Sequence, residues 1–237
     1  MDWLLERPIA HRGLHRGTDI PENSMRAFAA AIASHHPIEL DIQQLADGAL
    51  AVFHDSDLQR LTGHSGLIAD QTVDTIKQFH LFQTDQTIPL LSDVLEVVAG
   101  QVPLVVELKN EGEVGPLETA LLDIVSTYSG EFAIQAFNPF SLEFFKQRAP
   151  SILRGQLSGN FRGEALPWHK KLLLSNLLLN GKSAPHFIAY DLGALPSLPT
   201  SLARRIFKIP LVAWTVRSEA DRAKALTCAD NFIFDAY

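Results

Sequence analysis

Two five-residue runs concentrate the chemistry of the 237-residue chain: Ile38-Glu39-Leu40-Asp41-Ile42 and Val105-Val106-Glu107-Leu108-Lys109. Side chains alternate across a strand. Glu39 and Asp41 therefore share one face, with Ile38, Leu40 and Ile42 on the other. In the second run Glu107 and Lys109 lie opposite Val106 and Leu108. Carboxylates held this close repel one another, so one takes up a proton or a cation sits between them. Glu39, Asp41 and Glu107, with no cysteine nearby, favour a hard cation such as Mg²⁺ or Ca²⁺ over zinc. Internal ion pairs with Lys109 would use the same residues, and spacing alone does not separate the two readings.

Two histidines stand just past apolar runs. His11 follows Ile9-Ala10 and precedes Arg12 and Gly13; His54 follows Leu50-Ala51-Val52-Phe53 and precedes Asp55. Imidazole exchanges protons near neutral pH. Arg12 offers a fork of donors suited to a phosphate, and Gly13 lets the backbone approach closely. A lone histidine is more often structural, and His15, His35, His36, His64, His80, His169 and His186 take that reading, with His35 and His36 as a solvated helix end.

These residues need elements to position them. Strands are expected near 8–11, 38–42, 103–108, 132–136, 152–156, 186–190, 211–215 and 232–235. Helical patterns lie near 24–35, 92–99, 115–128, 140–148, 168–178, 200–207 and 218–226. Such alternation implies parallel strands with helical crossovers. Eight strands suggest an α/β fold of the TIM-type (β/α)8 barrel, where sites lie at the C-terminal ends of the strands. The length suits one catalytic domain over 1–237. Ser24 is placed to start the first long helix and Pro37 to end it; Ser92 and Ser218 are placed to cap two others, Ser218 with Asp221 in a weak capping box. The stretch 51–91 is too long for a simple crossover. It reads as a small insertion after strand two, approximately 55–91, with a short helix near 73–79, and such insertions tend to be functional. No eighth helix follows the last strand. The seam is then covered by the N-terminal residues or a partner subunit, or the strand count is off by one.

Composition narrows the classes. Lys and Arg number 20 against 27 Asp and Glu, a formal net charge of −7. This disfavours a nucleic-acid partner, which calls for a basic face, but leaves room for an anionic substrate in a locally cationic cleft. The single cysteine, Cys228, excludes an intrachain disulfide, fits a cytoplasmic protein and reads as a packing residue near a helix end. Met1 to Ile9 lacks a signal-peptide pattern. The most apolar stretch, Leu172 to Leu179, is too short to span a bilayer, so no membrane anchor is expected.

The motifs, taken in order, resemble the glycerophosphodiester phosphodiesterase family. They are Ala10-His11-Arg12-Gly13, Pro21-Glu22-Asn23-Ser24, Glu39-Leu40-Asp41, Asp47-Gly48, His54-Asp55, Leu58, Arg60, Thr62-Gly63, Gly66, Ile88-Pro89-Leu90 and Val106-Glu107-Leu108-Lys109. Weaker similarity continues at Phe137, Trp214-Thr215-Val216 and Asp235. The resemblance implies a β/α barrel with an insertion after strand two. It implies a divalent metal, Mg²⁺ or Ca²⁺, on Glu39, Asp41 and Glu107, with His11 and His54 as the acid–base pair. Arg12 and Lys109 would contact the phosphate, and Trp214 and Phe137 would wall the substrate; as residues alone, these two aromatics read equally well as barrel core. Glu22 and Asn23 would brace the first loop. The implied activity is that of a phosphoric diester hydrolase, releasing an alcohol and glycerol 3-phosphate from a small glycerophosphodiester. A homo-oligomer is compatible. Ala136 stands where the family often has Ser, Arg217 where it often has Asn, and only Ala236 and Tyr237 follow the last aspartate; these touch substrate choice and the seam. A lysophospholipase D or sphingomyelinase D type reaction would share the same set and call for an exposed apolar rim, for which Phe79 to Phe82 is the candidate. A barrel that only binds a phosphorylated ligand would need no acid–base pair.

Overall fold

The computed structural model describes residues 1–110, 112–163 and 165–237. In chain order the elements are α1 (Trp3–Glu6), β1 (Ile9–Ala10), α2 (Met25–Ala33), β2 (Ile38–Gln44), β3 (Leu50–Val52), α3 (Gln59–Thr62), α4 (Val73–Ile76), α5 (Leu91–Val98) and β4 (Leu104–Leu108). There follow α6 (Pro116–Val125), β5 (Phe132–Ala136), α7 (Pro139–Arg148), β6 (Leu153–Ser158), α8 (Trp168–Ser175), α9 (Asn180–Ser183), β7 (Phe187–Asp191), α10 (Leu198–Arg205), β8 (Leu211–Val216), α11 (Glu219–Cys228) and β9 (Asn231–Phe234).

β1 pairs in parallel with both β9 and β2, which closes the sheet into a barrel of eight parallel strands. β3 lies outside, antiparallel to β2. The strand count expected from the sequence therefore stands. Parity explains the two layers. Ile38, Leu40, Ile42, Val106 and Leu108 face outward and pack in one cluster with Phe28 of α2 and Leu91, Val94 and Val98 of α5. Ile9, Val105, Ala133, Phe187, Ala189, Val212 and Ile233 point inward and fill the barrel.

The interior is tight. A Cβ on Gly155 would lie 2.2 Å from the ring of Phe187, which is fully buried beside it. Gly155→Ala is expected to destabilise the protein by about 1–3 kcal/mol, because the ring must leave its position in a filled barrel. A thermal midpoint equal to wild type by calorimetry would show that the ring has slack.

Residues of this chain pack against β9 on both of its faces. Trp3 and Leu4 of α1 join the interior cluster. Asn231 Nδ2 donates to the carbonyls of Leu4 (2.6 Å) and Arg7 (2.7 Å), fastening α1 to β9. Phe234 packs outward against the α2 layer and meets the ring of His36 at 5.1 Å. His36 is thus not part of a solvated helix end: its Nδ1 also bonds the Pro8 carbonyl (3.0 Å), while His35 is exposed.

Of the three capping expectations, those for Ser24 and Ser218 hold and that for Ser92 fails. Ser24 does cap α2, accepting from Ala27 N, but the helix ends at Ala33, ahead of Pro37. α5 starts at Leu91 with Leu90 at its N-cap, so Ser92 lies inside the helix and caps nothing. Ser218 accepts from Asp221 N, yet Asp221 returns its carboxylate to Arg217 N instead of Ser218 N, so no full box forms. The insertion has its own small core of Phe53, Leu58, Leu61, Ile68, Ile76, Leu81 and Ile88, with Phe79 and Phe82 packed against it. Those two phenylalanines therefore offer no open apolar rim.

Candidate active site

The carboxylates meet where parity requires. Asp41 on β2 is in register with Glu107 on β4, and Glu107 with Gln135 on β5. Glu39, Asp41 and Glu107 are almost wholly buried, and their oxygens lie within 4.8 Å of one another. Lys109 Nζ stands 3.1 Å from Asp41 Oδ1 and 2.5 Å from Glu107 Oε1.

The first loop closes the other side. Arg12, Gly13 and Asn23 all take positive φ (54°, 79° and 54°), folding the loop back over α2. A Cβ on Gly13 would sit 2.9 Å from the Ala27 backbone, so the close approach depends on glycine. Arg12 is committed three ways: its backbone N–H donates to Glu39 (3.1 Å), Nε lies 3.2 Å from Asp41, and Nη1 donates to Glu22 (2.5 Å). Asn23 Nδ2 donates to Asp41 (2.9 Å) and Gln135 Nε2 to Glu39 (3.3 Å).

Charge is unevenly shared in this cluster. Burial opposes ionisation of Asp41, but Lys109 and Arg12 override it and hold Asp41 well below the usual carboxylate range. Burial, with Asp41 and Glu107 beside it, pushes Glu39 well above that range. Burial also raises Glu107 despite Lys109. The three carboxylates outnumber Arg12 and Lys109, and Lys109 is the partner of both Asp41 Oδ1 and Glu107 Oε1. An all-oxygen set in which three clustered carboxylates outnumber the cations beside them fits a divalent hard cation.

Each histidine leans on a carboxylate. His11 Nδ1 lies 2.6 Å from Asp235 Oδ1, and His54 Nδ1 lies 2.7 Å from Asp55 Oδ1. An ionised carboxylate only accepts, so each Nδ1 carries the proton and each Nε2 is left as the free nitrogen. Both carboxylates are pinned. Arg217 Nε and His15 Nε2 reach Asp235 at 2.7 and 3.3 Å. Arg60 Nε donates to Asp55 (2.6 Å) and its Nη atoms to Glu22. Burial lowers both imidazoles below 6.5, against the pull of Asp235 on His11 and of Asp41 and Asp55 on His54.

Trp214 and Phe137 meet edge to face at 5.7 Å and join the interior cluster as half-buried members. The indole Nε1 is buried without a partner among the described residues. A cavity of about 610 Å³ lies elsewhere, between α10 and α11, and contains none of these groups. The carboxylates, both histidines, Arg12, Lys109, Trp214 and Phe137 converge on one end of the barrel, and Glu22 and Asn23, expected to brace the first loop, bond Arg12 and Asp41. Other supporting residues were not expected from the sequence. Gln43 Nε2 bonds the carbonyls on either side of His54, of Phe53 (2.9 Å) and Asp55 (2.7 Å). The alternation that marks Glu39 and Asp41 extends to Gln43 and was its available signal. Gln135 was legible as the polar residue in an apolar strand. The pairing of His15 and Arg217 with Asp235 had no local signal.

A glycerophosphodiester phosphodiesterase from Caldanaerobacter subterraneus subsp. tengcongensis is 30% identical over 239 residues, covering 96% of this chain and 93% of the relative. One from Bacillus altitudinis is 37% identical over 61% of this chain and 63% of its own length. A phosphodiesterase from Oleispira antarctica, solved with the product sn-glycerol-3-phosphate, shares the fold with a TM-score of 0.79 at 23% identity, over 98% of this chain and 93% of that one. The sequence profile described as the glycerophosphoryl diester phosphodiesterase family matches residues 11–233, and the chain belongs to that family.

Proposed function

We propose that this protein hydrolyses glycerophosphodiesters with His11 and His54 as its proton-transfer pair and a divalent cation, Mg²⁺ or Ca²⁺, held by Glu39, Asp41 and Glu107. The observation that carries the reading is the pairing of a buried three-carboxylate cluster with two histidines whose Nδ1 atoms are each committed to an aspartate. The products are an alcohol and glycerol 3-phosphate.

The cation, when bound, supplies charge neutralisation and orientation of the phosphate. Arg12 and Lys109 add fixed positive charge on the same side, and both are already oriented by Asp41. One imidazole Nε2 removes the proton from the attacking oxygen, and the other protonates the departing alcohol. Asp235 and Asp55 hold the rings in one tautomer and stabilise the imidazolium that forms. Trp214 and Phe137 wall off the glycerol portion, with the free indole N–H as a donor for an oxygen of the substrate. The barrel and its insertion act as one catalytic unit in the cytoplasm, where Cys228 stays reduced.

Release of glycerol 3-phosphate from glycerophosphocholine tests the reading. Turnover is expected to stop with chelator and to return on adding Mg²⁺ or Ca²⁺. Turnover that persists after exhaustive chelation would remove the metal from the account.

A further inference from the structure

The rim of the catalytic end carries a surface that neither the reaction nor the core explains. α8 is eight residues long and buries none of its side chains. Helices this short are marginal in water unless one face packs against something. Trp168 is 77% exposed and Leu172, one turn later on the same face, is 51% exposed. Leu166, just before the helix, and Phe140, at the start of α7 after the neighbouring strand, are exposed as well. Single exposed apolar residues are ordinary, but Trp168 and Leu172 on one face of a helix whose other leucines, Leu173 and Leu174, are only half-buried mark an interaction surface.

Charge says what kind of surface it meets. Between Glu164 and Asp191 the chain has no Asp or Glu; Lys182 there pairs with Glu143 of α7 (3.6 Å), which leaves Lys170 and Lys171 on α8 as the cations of this face, although the whole chain is at −7. Charges farther off than roughly 8 Å are screened at physiological ionic strength, so α8 meets a partner with its own lysines. Apolar side chains flanked by lysines match acyl chains beneath anionic head groups. Tryptophan suits that boundary because its ring is apolar and its N–H polar. A second copy of this chain suits it poorly: a two-fold contact on this face would set Lys170 and Lys171 against their own copies.

Position adds a purpose. α8 follows β6 at the catalytic end, and its last turn is tied down by Ser158 Oγ donating to the Leu174 carbonyl (2.8 Å) and Tyr190 OH to the Ser175 carbonyl (2.9 Å). Its first turn, with Trp168, is left facing out. Phe161, ahead of the helix, meets Phe137 at 5.9 Å, and Phe137 meets Trp214. An aromatic row of Phe161, Phe137 and Trp214 thus lines the wall of the site on the chain segment that leads into α8. We propose that α8 and its flanking residues dock the catalytic mouth onto an anionic lipid surface, so that the enzyme takes its glycerophosphodiesters at the membrane face. This docking rests on the phosphodiesterase reading for its purpose, but not for its geometry.

The full chain mixed with vesicles tests it, with bound fraction read by sedimentation and by tryptophan emission. Vesicles containing phosphatidylglycerol should bind the protein and shift its emission to the blue; pure phosphatidylcholine should bind it far less, and high salt should release it. Trp168→Ser with Leu172→Ser should lower partitioning at least about tenfold. Lys170→Glu with Lys171→Glu should abolish the preference for phosphatidylglycerol. Both pairs should keep the far-UV circular dichroism of the parent and its turnover of soluble glycerophosphocholine. No binding by the parent, or equal binding by both pairs, overturns the proposal. So does a dimer by light scattering that Trp168→Ser with Leu172→Ser dissolves, since the face would then be a self-interface. Vesicle binding without glycerophosphocholine turnover would leave the docking standing and sink the catalytic reading instead.

Discussion

His11→Ala is expected to lower kcat by about 10²–10⁴-fold, and His54→Ala by a similar amount, with KM for glycerophosphocholine little changed. Each imidazole has one nitrogen committed to an aspartate and one free. Its loss therefore removes a proton-transfer group without removing a phosphate contact. The double variant should fall short of the product of the two single effects, because the pair works on one proton relay. Asp235→Asn should give a smaller loss, again in kcat, since Arg217 and His15 still hold that corner. Near wild-type turnover in either single variant would break the pair assignment.

The pH profile follows from the same burial. The base must be neutral and is lost as pH falls through its value; the acid must be protonated and is lost as pH rises through its own. Burial sets both imidazoles below 6.5, and a cation among the carboxylates pushes the same way. The maximum of kcat/KM is therefore expected on the acid side of neutrality.

The second large effect separates two neighbouring carboxylates. Glu39→Gln and Asp41→Asn should both abolish metal-dependent turnover, yet act oppositely on the metal-free protein. Burial and its two acidic neighbours make Glu39 the carboxyl that resists ionisation. A neutral amide of the same shape relieves that repulsion, so the thermal midpoint in chelator should hold or rise. Asp41 receives Lys109, Arg12 and Asn23. Its neutralisation strands two largely buried cations, at a cost of about 3–5 kcal/mol. Wild type should gain stability on adding Mg²⁺ or Ca²⁺, and Glu39→Gln should lose that gain. A fall in the midpoint of metal-free Glu39→Gln as large as that of Asp41→Asn would contradict this division of charge.

Much of this protein was legible because its information is local. Alternation along 38–42 and 105–109 is a property of any strand, so placing Glu39, Asp41 and Glu107 on one face needed no tertiary structure. Strand–helix alternation likewise implied the barrel, and with it the end where a site belongs. Boundaries such as Ser92 failed because a serine inside a first turn and a serine at a cap look alike in sequence; backbone angles at Leu90 and Leu91 decide between them.

The sequence by itself determined which residue types share a strand face, and the ordered motifs that tie the chain to its family. Only the tertiary structure decided which groups meet across long separations. His11 finds Asp235 over 224 residues because β1 and β9 close the barrel side by side. Arg60 reaches Glu22 because the insertion folds on its own core. Lys109 falls between Asp41 and Glu107 only once β2 and β4 are in register. Those contacts set the charge on each carboxylate and the tautomer of each histidine, and both depend on burial and distance, which no run of residues encodes by itself.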